Sequence, residues 1–419
     1  MHFRRPTNVP AFTVLQNRDF RAIWYMGGLH EMARRMELFV LSLLILETTD
    51  SLFNLGLVLV FNNLPRPFLS LFAGLVADRF SRLRILAVAQ TINTLVAAVI
   101  LLLIITGSVV PWHVFLAVFM QGLTKALDDP SRRTAILDIV GERRIVNALS
   151  LDQISNTVGK MSGPLLGGVL LEATGFTGAY FLVLAMNLVT LALLTRVRIP
   201  NYQRVAGQME PIWRSLSTSL RYAFKNPVLL GMLYVTIVMN ALAFPVQQFI
   251  PAIGRDQLLV GPTLIGLLVS AEGVGQFIGA GIMGATRNLQ RHGRVFMIGS
   301  TLVLLMSIVF VWSPWYVMAF VVLTIGGIGQ AAFGTMQSSI TMLSAPRELR
   351  GRMVGLMSFC IGVGTPLGTL EIGAVATAFS APWAISVNAL AGLLLLLPAA
   401  LTPLVWRPTV QLEPAPAQD

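Results

Sequence analysis

Apolar residues run in long stretches along this chain, and short polar clusters separate them. A bilayer core about 30 Å thick needs roughly 20 mostly apolar helical residues per crossing. On that measure the pattern predicts twelve segments, near residues 20–46, 52–77, 85–106, 111–130, 149–172, 176–195, 228–252, 263–286, 295–312, 315–340, 353–377 and 384–405. Turn-forming pairs punctuate them: Thr49-Asp50, Thr106-Gly107, Thr174-Gly175, Gly261-Pro262, Ser313-Pro314 and Ala381-Pro382. The longest connection, from Arg196 to Lys225, divides six segments from six. Its end carries apolar residues at 213, 216, 220, 223 and 224, the spacing of an amphipathic helix lying on a membrane surface or of a plain linker helix.

Composition agrees with a chain in lipid. Of 419 residues, 55% are hydrophobic and 12% charged, against about 25% charged in a soluble globular protein. The single cysteine, Cys360, and four scattered histidines offer no disulfide framework and no metal site. The first 21 residues are too polar and too rich in Arg and Pro for a cleaved signal peptide, so the first hydrophobic segment is expected to remain. Residues 407–419, with three prolines and no apolar periodicity, read as a disordered tail.

A net charge of +11 could suggest nucleic acid, but the placement of the charge argues otherwise. Alternate loops hold 24 of the 30 basic residues, while the opposite loops hold Arg255 alone together with Glu47, Asp50, Glu172 and Asp256. By the positive-inside rule this puts both termini in the cytoplasm. The positive charge is therefore a topology signal, and nucleic acid drops out as a partner.

The halves echo one another. Gly74, Asp78, Arg79, Arg82 and Arg84 lie in the loop after span two; Gly284, Asn288, Arg291 and Arg294 lie at similar offsets after span eight. Gly163-Pro164-Leu-Leu-Gly167 in span five matches Gly364-Thr-Pro366-Leu-Gly368 in span eleven, and Glu142-Arg-Arg144 matches Glu348-Leu-Arg350. Six-span halves with weak internal symmetry mark secondary transporters, whose substrate site lies between the halves.

On these residues the chain resembles the major facilitator superfamily over essentially its whole length. Residues 74–84 look like that family's loop signature, with Ser81 in place of a usual glycine. Gly159, Gly163, Pro164, Gly167 and Gly168 look like the helix-five motif of its proton-antiporting exporters, and the stretches around Asp50 and Asp129-Pro130-Ser131-Arg132 point to the multidrug and siderophore (enterobactin-type) exporter branch. Arg34 sits where that branch often carries an acid. The resemblance implies that helices 1, 4, 7 and 10 line a cavity and that helices 2, 5, 8 and 11 form the interface between halves.

Charges within the spans fit that arrangement. A charge at the bilayer centre costs roughly 2.5–3.5 kcal/mol even on a mild scale, yet Glu31, Arg34, Arg35 and Glu37 lie in span one and Arg66 in span two. Lys125, Asp128 and Asp129 lie in span four, Lys160 in five, Glu272 in eight and Glu371 in eleven. Glu31 is spaced to meet Arg34 and Arg35, and Arg34 to meet Glu37. Helical spacing also collects Asn62, Asn63 and Arg66 into one stripe, and Gln121, Lys125 and Asp128 into another. Asn240 with Gln247, and Gln330 with Gln337, share a face on spans seven and ten. A wet cavity or polar contacts between helices account for such stripes equally well. Lys160 and Glu272 lie at matching depths, within a few ångströms at about 1.5 Å per residue, and are expected to pair across the halves, with Glu272 taking up the coupling proton when they part. Arg66 and Glu371 match less well in depth.

The resulting expectation is an all-α membrane protein of twelve transmembrane helices in two pseudo-symmetric six-helix halves. Residues 1–195 form the first half, 196–227 the cytoplasmic linker, and 228–406 the second half. It would act as a monomeric, proton-coupled exporter of a small organic molecule in the inner cell membrane, by alternating access, with no cofactor. An uptake carrier or a lysophospholipid transporter of the same fold is the alternative. An enzyme is disfavoured, because His30-Glu31-Met-Ala-Arg34 stops short of a zinc-protease motif and no nucleotide loop is present; a channel or sensor is disfavoured by the repeat. Since Asp78 can hold the arginines and a neighbouring helix N-terminus across the inner face, Asp78→Asn is expected to slow transport severalfold at normal membrane abundance, measured in vesicles. Wild-type rates would remove the motif from the transport cycle.

Overall fold

The computed structural model describes residues 11–65, 81–141, 144–197, 220–285, 291–346 and 349–406. Gly74, Asp78 and Arg79 of the loop signature, Arg66, and most of the 196–227 linker lie outside the described residues. Every long regular element among the described residues is a helix: α1 (Arg18–Thr49), α2 (Leu52–Asn63), α3 (Arg82–Ile105), α4 (Pro111–Val140), α5 (Ile145–Leu194), α6 (Pro227–Leu242), α7 (Ile250–Asp256), α8 (Pro262–Ala285), α9 (His292–Val311), α10 (Tyr316–Ser344), α11 (Arg350–Ala378), α12 (Ala381–Ala400) and α13 (Pro403–Trp406).

Local chemistry sets the boundaries. The Asn17 side chain caps α1 by accepting from the amides of Asp19 and Phe20 at 2.9 and 3.1 Å, an N-cap contact worth about 1 kcal/mol. Asp50 ends α1 in the left-handed region (φ 47°), and Ser51 at once caps α2. Asn226 caps α6 ahead of Pro227 at the first helical position. Helix α5 continues for 50 residues but turns at Gly175, where φ 68° and ψ −173° suit glycine alone.

Eight of the described helices are long and apolar enough to cross a membrane, counting α5 once and α6 with α7 as one. Helices α1 and α4 have 32 and 30 residues but carry clustered charges, and the described part of α2 is too short. Pro245 and the 3-10 turn Phe244–Phe249 interrupt the seventh predicted segment, so that α6 and α7 are separate helices. This break moves Asn240 and Gln247 off the common face that unbroken helical spacing predicts.

Glycine contacts organise the packing. A Cβ on Gly159 would lie 3.0 Å from Met32 N; on Gly163, 2.8 Å from Arg35 Cβ and Met32 O; on Gly167, 3.1 Å from Phe39 Cδ1. This face of α5 therefore lies on α1. The reverse side of α5 meets α8, through Gly168 against Pro262 and Thr263, Gly266 against Pro164, and Ser270 Oγ donating to Met161 O at 2.5 Å. The same pattern recurs later in the chain. Gly364 and Gly368 of α11 lie against Asn240 and Ala241 of α6, and Gly56 of α2 meets Thr369 O and Gly373 of α11.

Apolar burial is distributed unequally between the two ends of the bundle. At the end holding Asp50, Gly175 and Asp256, one continuous core combines Leu46, Leu55, Leu101 and Tyr180 with Phe249, Ile265, Phe310 and Ile372. At the other end the cores are separate, one around Phe20, Ile136 and Leu151 and one around Leu229, Phe296, Met336 and Met353. Gly163→Leu should therefore lower thermal stability, since overpacking a tight contact typically costs about 1–3 kcal/mol. Gly355→Leu, where a side chain meets open space, should leave the melting temperature of the purified protein unchanged. Equal stability of the two variants would discount the α1–α5 contact.

Candidate functional site

Where the two cores separate, a cavity of about 790 Å3 opens between the start of α5 and helices α6, α8, α10 and α11. Its volume lies in the range of small-molecule sites, about 300–1,000 Å3. Gln153 near the start of α5 and Ser338 near the end of α10 line it, so it opens at the end carrying Arg144 and Arg350. Phe244, Phe277 and Phe333 supply apolar wall, and Phe244 and Phe333 meet edge to face at 5.1 Å.

Of the sequence-predicted site residues, Lys160, Asn240 and Gln330 line this cavity. The Lys160 ammonium donates to Gln276 Oε1 at 3.0 Å, and Gln276 Nε2 donates onward to Gln330 Oε1. Lys160 and Glu272 do not form the expected ion pair: Glu272 accepts from Gln247 Nε2 instead. The two share the wall of a small hollow with Arg35, Gln247 and Ser42. Their depths match, but the carboxamides of Gln247 and Gln276 intervene as nearer partners.

Span one holds a second cluster. Arg34 grips both oxygens of Glu31, Nη2 at 2.5 Å and Nε at 3.0 Å, and Arg35 Nε adds a contact at 2.8 Å. Lys125 lies beside this group and Asp129, without an ion pair within 4.0 Å among the described residues. Arg34 thus serves Glu31 and not Glu37. Glu37, 2% exposed, accepts from Tyr180 OH at 3.1 Å. The Gln121 side chain is buried beside Glu37 as its second polar neighbour. Asp128 belongs to another group, in which Arg132, 4% exposed, reaches Asp152 at 3.0 Å, Asp128 at 3.6 Å and Asp129 at 3.7 Å. Its guanidinium lies over Gly27 of α1, so one cation ties together α1, α4 and α5.

Other candidates serve packing. Asn62 donates to Val118 O at 3.1 Å, and Gln337 to Thr236 Oγ1 at 2.8 Å. Glu371 is exposed on α11 and accepts from Asn388 of α12, lining neither cavity; its proposed partner Arg66 lies outside the described residues. Gln330 and Gln337 consequently point to different neighbours despite their seven-residue spacing. The sequence reading passed over Gln153, Thr157, Gln276 and the three phenylalanines as cavity residues. Gln276 was detectable as a polar residue one turn from Glu272 on a glycine stripe; the phenylalanines are indistinguishable in sequence from core.

Comparison with known proteins agrees with this geometry. The chain is 25% identical over 334 residues to the enterobactin exporter EntS of Salmonella choleraesuis (strain SC-B67), covering 77% of this chain and 78% of that protein. It is 23% identical over 345 residues to the multidrug efflux pump Tap of Mycolicibacterium fortuitum, covering 80% and 83%. Among solved structures, the nucleoside transporter NupG superposes with a TM-score of 0.73 at 14% identity, covering 91% of this chain and 98% of that one. A bacterial homologue of the human lysosomal transporter Spinster, in an inward-facing, unoccupied conformation, superposes with a TM-score of 0.68 at 16% identity, covering 94% and 96%. These structural similarities establish the fold. The family model described as "transmembrane secretion effector" matches residues 9–415; the chain belongs to this family of the major facilitator superfamily and is a multi-pass membrane transporter, not an enzyme.

Proposed function

We propose that the protein is a proton-coupled exporter of a small organic molecule that works by alternating access. Its twelve spans form two pseudo-symmetric halves, residues 1–195 and 228–406, joined by a cytoplasmic linker at 196–227 with a surface amphipathic helix and followed by a tail at 407–419. Both termini face the cytoplasm of the inner cell membrane. The observation that carries the reading is the unequal burial: one core spans both halves at one end, while a cavity separates two cores at the other. A carrier open to one side requires this arrangement, and the basic loops assign that side to the cytoplasm. The efflux relatives support the outward direction.

Glu272 is the coupling acid of this reading. It lies in the hollow beside the cavity with Gln247 as its hydrogen-bond partner and with Lys160 and Arg35 nearby. A carboxylate in low dielectric is held by adjacent positive charge and takes a proton when that charge moves away. Separation of the halves at this level would move Lys160 on α5 away from Glu272 on α8.

Two experiments test these assignments. In proteoliposomes, Glu272→Gln should abolish the dependence of export on a pH gradient while substrate binding stays within about twofold. Unchanged proton-driven transport would remove Glu272 from the mechanism. For sidedness, Ser338→Cys in a Cys360→Ala background should react with a membrane-impermeant maleimide in inside-out vesicles and resist it in right-side-out vesicles. The reverse labelling would invert the orientation.

A further inference from the structure

Lys160 is the one charged side chain among the described residues that line the large cavity. Its ammonium has three donors and no acceptor, and one donor is engaged, by Gln276 Oε1 at 3.0 Å. No carboxylate is within 4.0 Å of it among the described residues. The nearby acids have other partners: Glu272 accepts from Gln247, and Glu31 is held by Arg34 and Arg35. Arg35 and Arg34 add positive charge on the α1 side, which Glu272 and Glu31 offset.

The amides around Lys160 are polarised in one sense. An ammonium can only donate, so the Gln276 atom facing it is the carbonyl oxygen. The Gln276 NH2 therefore points to Gln330, and the Gln330 atom that receives it is in turn the carbonyl. Each link uses up an acceptor, and Lys160 keeps two of its three N–H donors. At the α6 wall Asn240 is engaged through both ends of its amide, Oδ1 accepting from Thr365 Oγ1 at 3.1 Å and Nδ2 donating to Thr236 O at 2.8 Å. With these amides bonded to one another and to their own helices, the charged donor left to an occupant of the cavity is the Lys160 ammonium. The three phenylalanines complete the surroundings with apolar, aromatic surface.

We propose that this cavity takes an amphipathic organic anion, its carboxylate or phenolate docked on Lys160 and its aromatic or aliphatic body against Phe244, Phe277 and Phe333. The proposal rests on the transporter reading and specifies its substrate class. A charge-assisted hydrogen bond to a partly desolvated ammonium is stronger than its neutral counterpart, so the charge of the ligand should decide affinity.

Two dyes on one xanthene skeleton test this: fluorescein, an anion, and a rhodamine methyl ester, a cation. Their binding to the purified full-length protein in nanodiscs is read by fluorescence anisotropy at a pH where fluorescein is ionised. Fluorescein should bind at least tenfold more tightly than the rhodamine. Lys160→Gln should weaken fluorescein at least tenfold and leave the rhodamine unchanged or tighter. Lys160→Arg, which keeps the charge, should retain fluorescein binding within a few fold and controls for misfolding. Equal affinity for the two dyes, indifference of fluorescein binding to Lys160→Gln, or failure of fluorescein to bind would each overturn the inference. Proton-driven export of the rhodamine or of another cation would then leave the exporter reading standing without it, whereas absence of any gradient-driven transport would remove the exporter reading itself.

Discussion

Close approach of α5 to two neighbours at once is the constraint on which the arrangement depends. Its face at Gly159, Gly163 and Gly167 lies directly on α1, while Gly168 and Pro164 contact α8. Small residues permit such backbone proximity in lipid, where helices gain little from the hydrophobic effect and associate through packing and hydrogen bonds. Lys160 is carried between these two faces of α5 and lines both the cavity and the hollow beside it. A bulkier α5 would displace the lysine together with the helix. The helix-five motif is in this respect a positioning device for a charge, in addition to a packing one.

The interior charges then sort by neighbourhood. Arg132 meets three carboxylates at one end of the bundle, Glu31 is shared by two arginines, and Glu272 and Glu371 accept from carboxamides. Buried polar groups are stable when hydrogen-bonded and costly when not, which makes the partner of each acid more informative than its depth. The amide of Gln121 beside Glu37 is one such neighbour. It is a buried polar residue of α4 next to a carboxylate that also accepts from the Tyr180 hydroxyl.

Much of this was legible in the sequence where interactions are local. The Glu31–Arg34–Arg35 cluster follows from i,i+3 and i,i+4 spacing on one helix, and Asp50-Ser51 and Gly175 announced turns through their backbone preferences. Depth matching placed Lys160 and Glu272 in the same hollow. It could not see Gln247 and Gln276, because which side chain reaches first depends on rotamers and on the break at Pro245. The same break undid the Asn240–Gln247 stripe. Which neighbour the helix-five glycines meet was equally hidden, since a small-residue stripe states that something lies close without saying which helix. Glu371 fell to the wrong face for a related reason: its polarity signalled a partner inside the membrane, and Asn388 on α12 satisfies that need at the periphery.

The end with the continuous core is also held by polar contacts. Arg255 bridges to Asp50 at 2.6 Å and to Leu46 O at 2.7 Å, and Glu172 accepts from the Thr263 amide at 3.1 Å. Asp50, however, is 87% exposed as a side chain, and such surface pairs contribute about 0–1 kcal/mol. The apolar core shared across that end buries many large side chains, at about 1.5–3 kcal/mol each. The shared apolar core, more than the surface ion pair, therefore holds that end together.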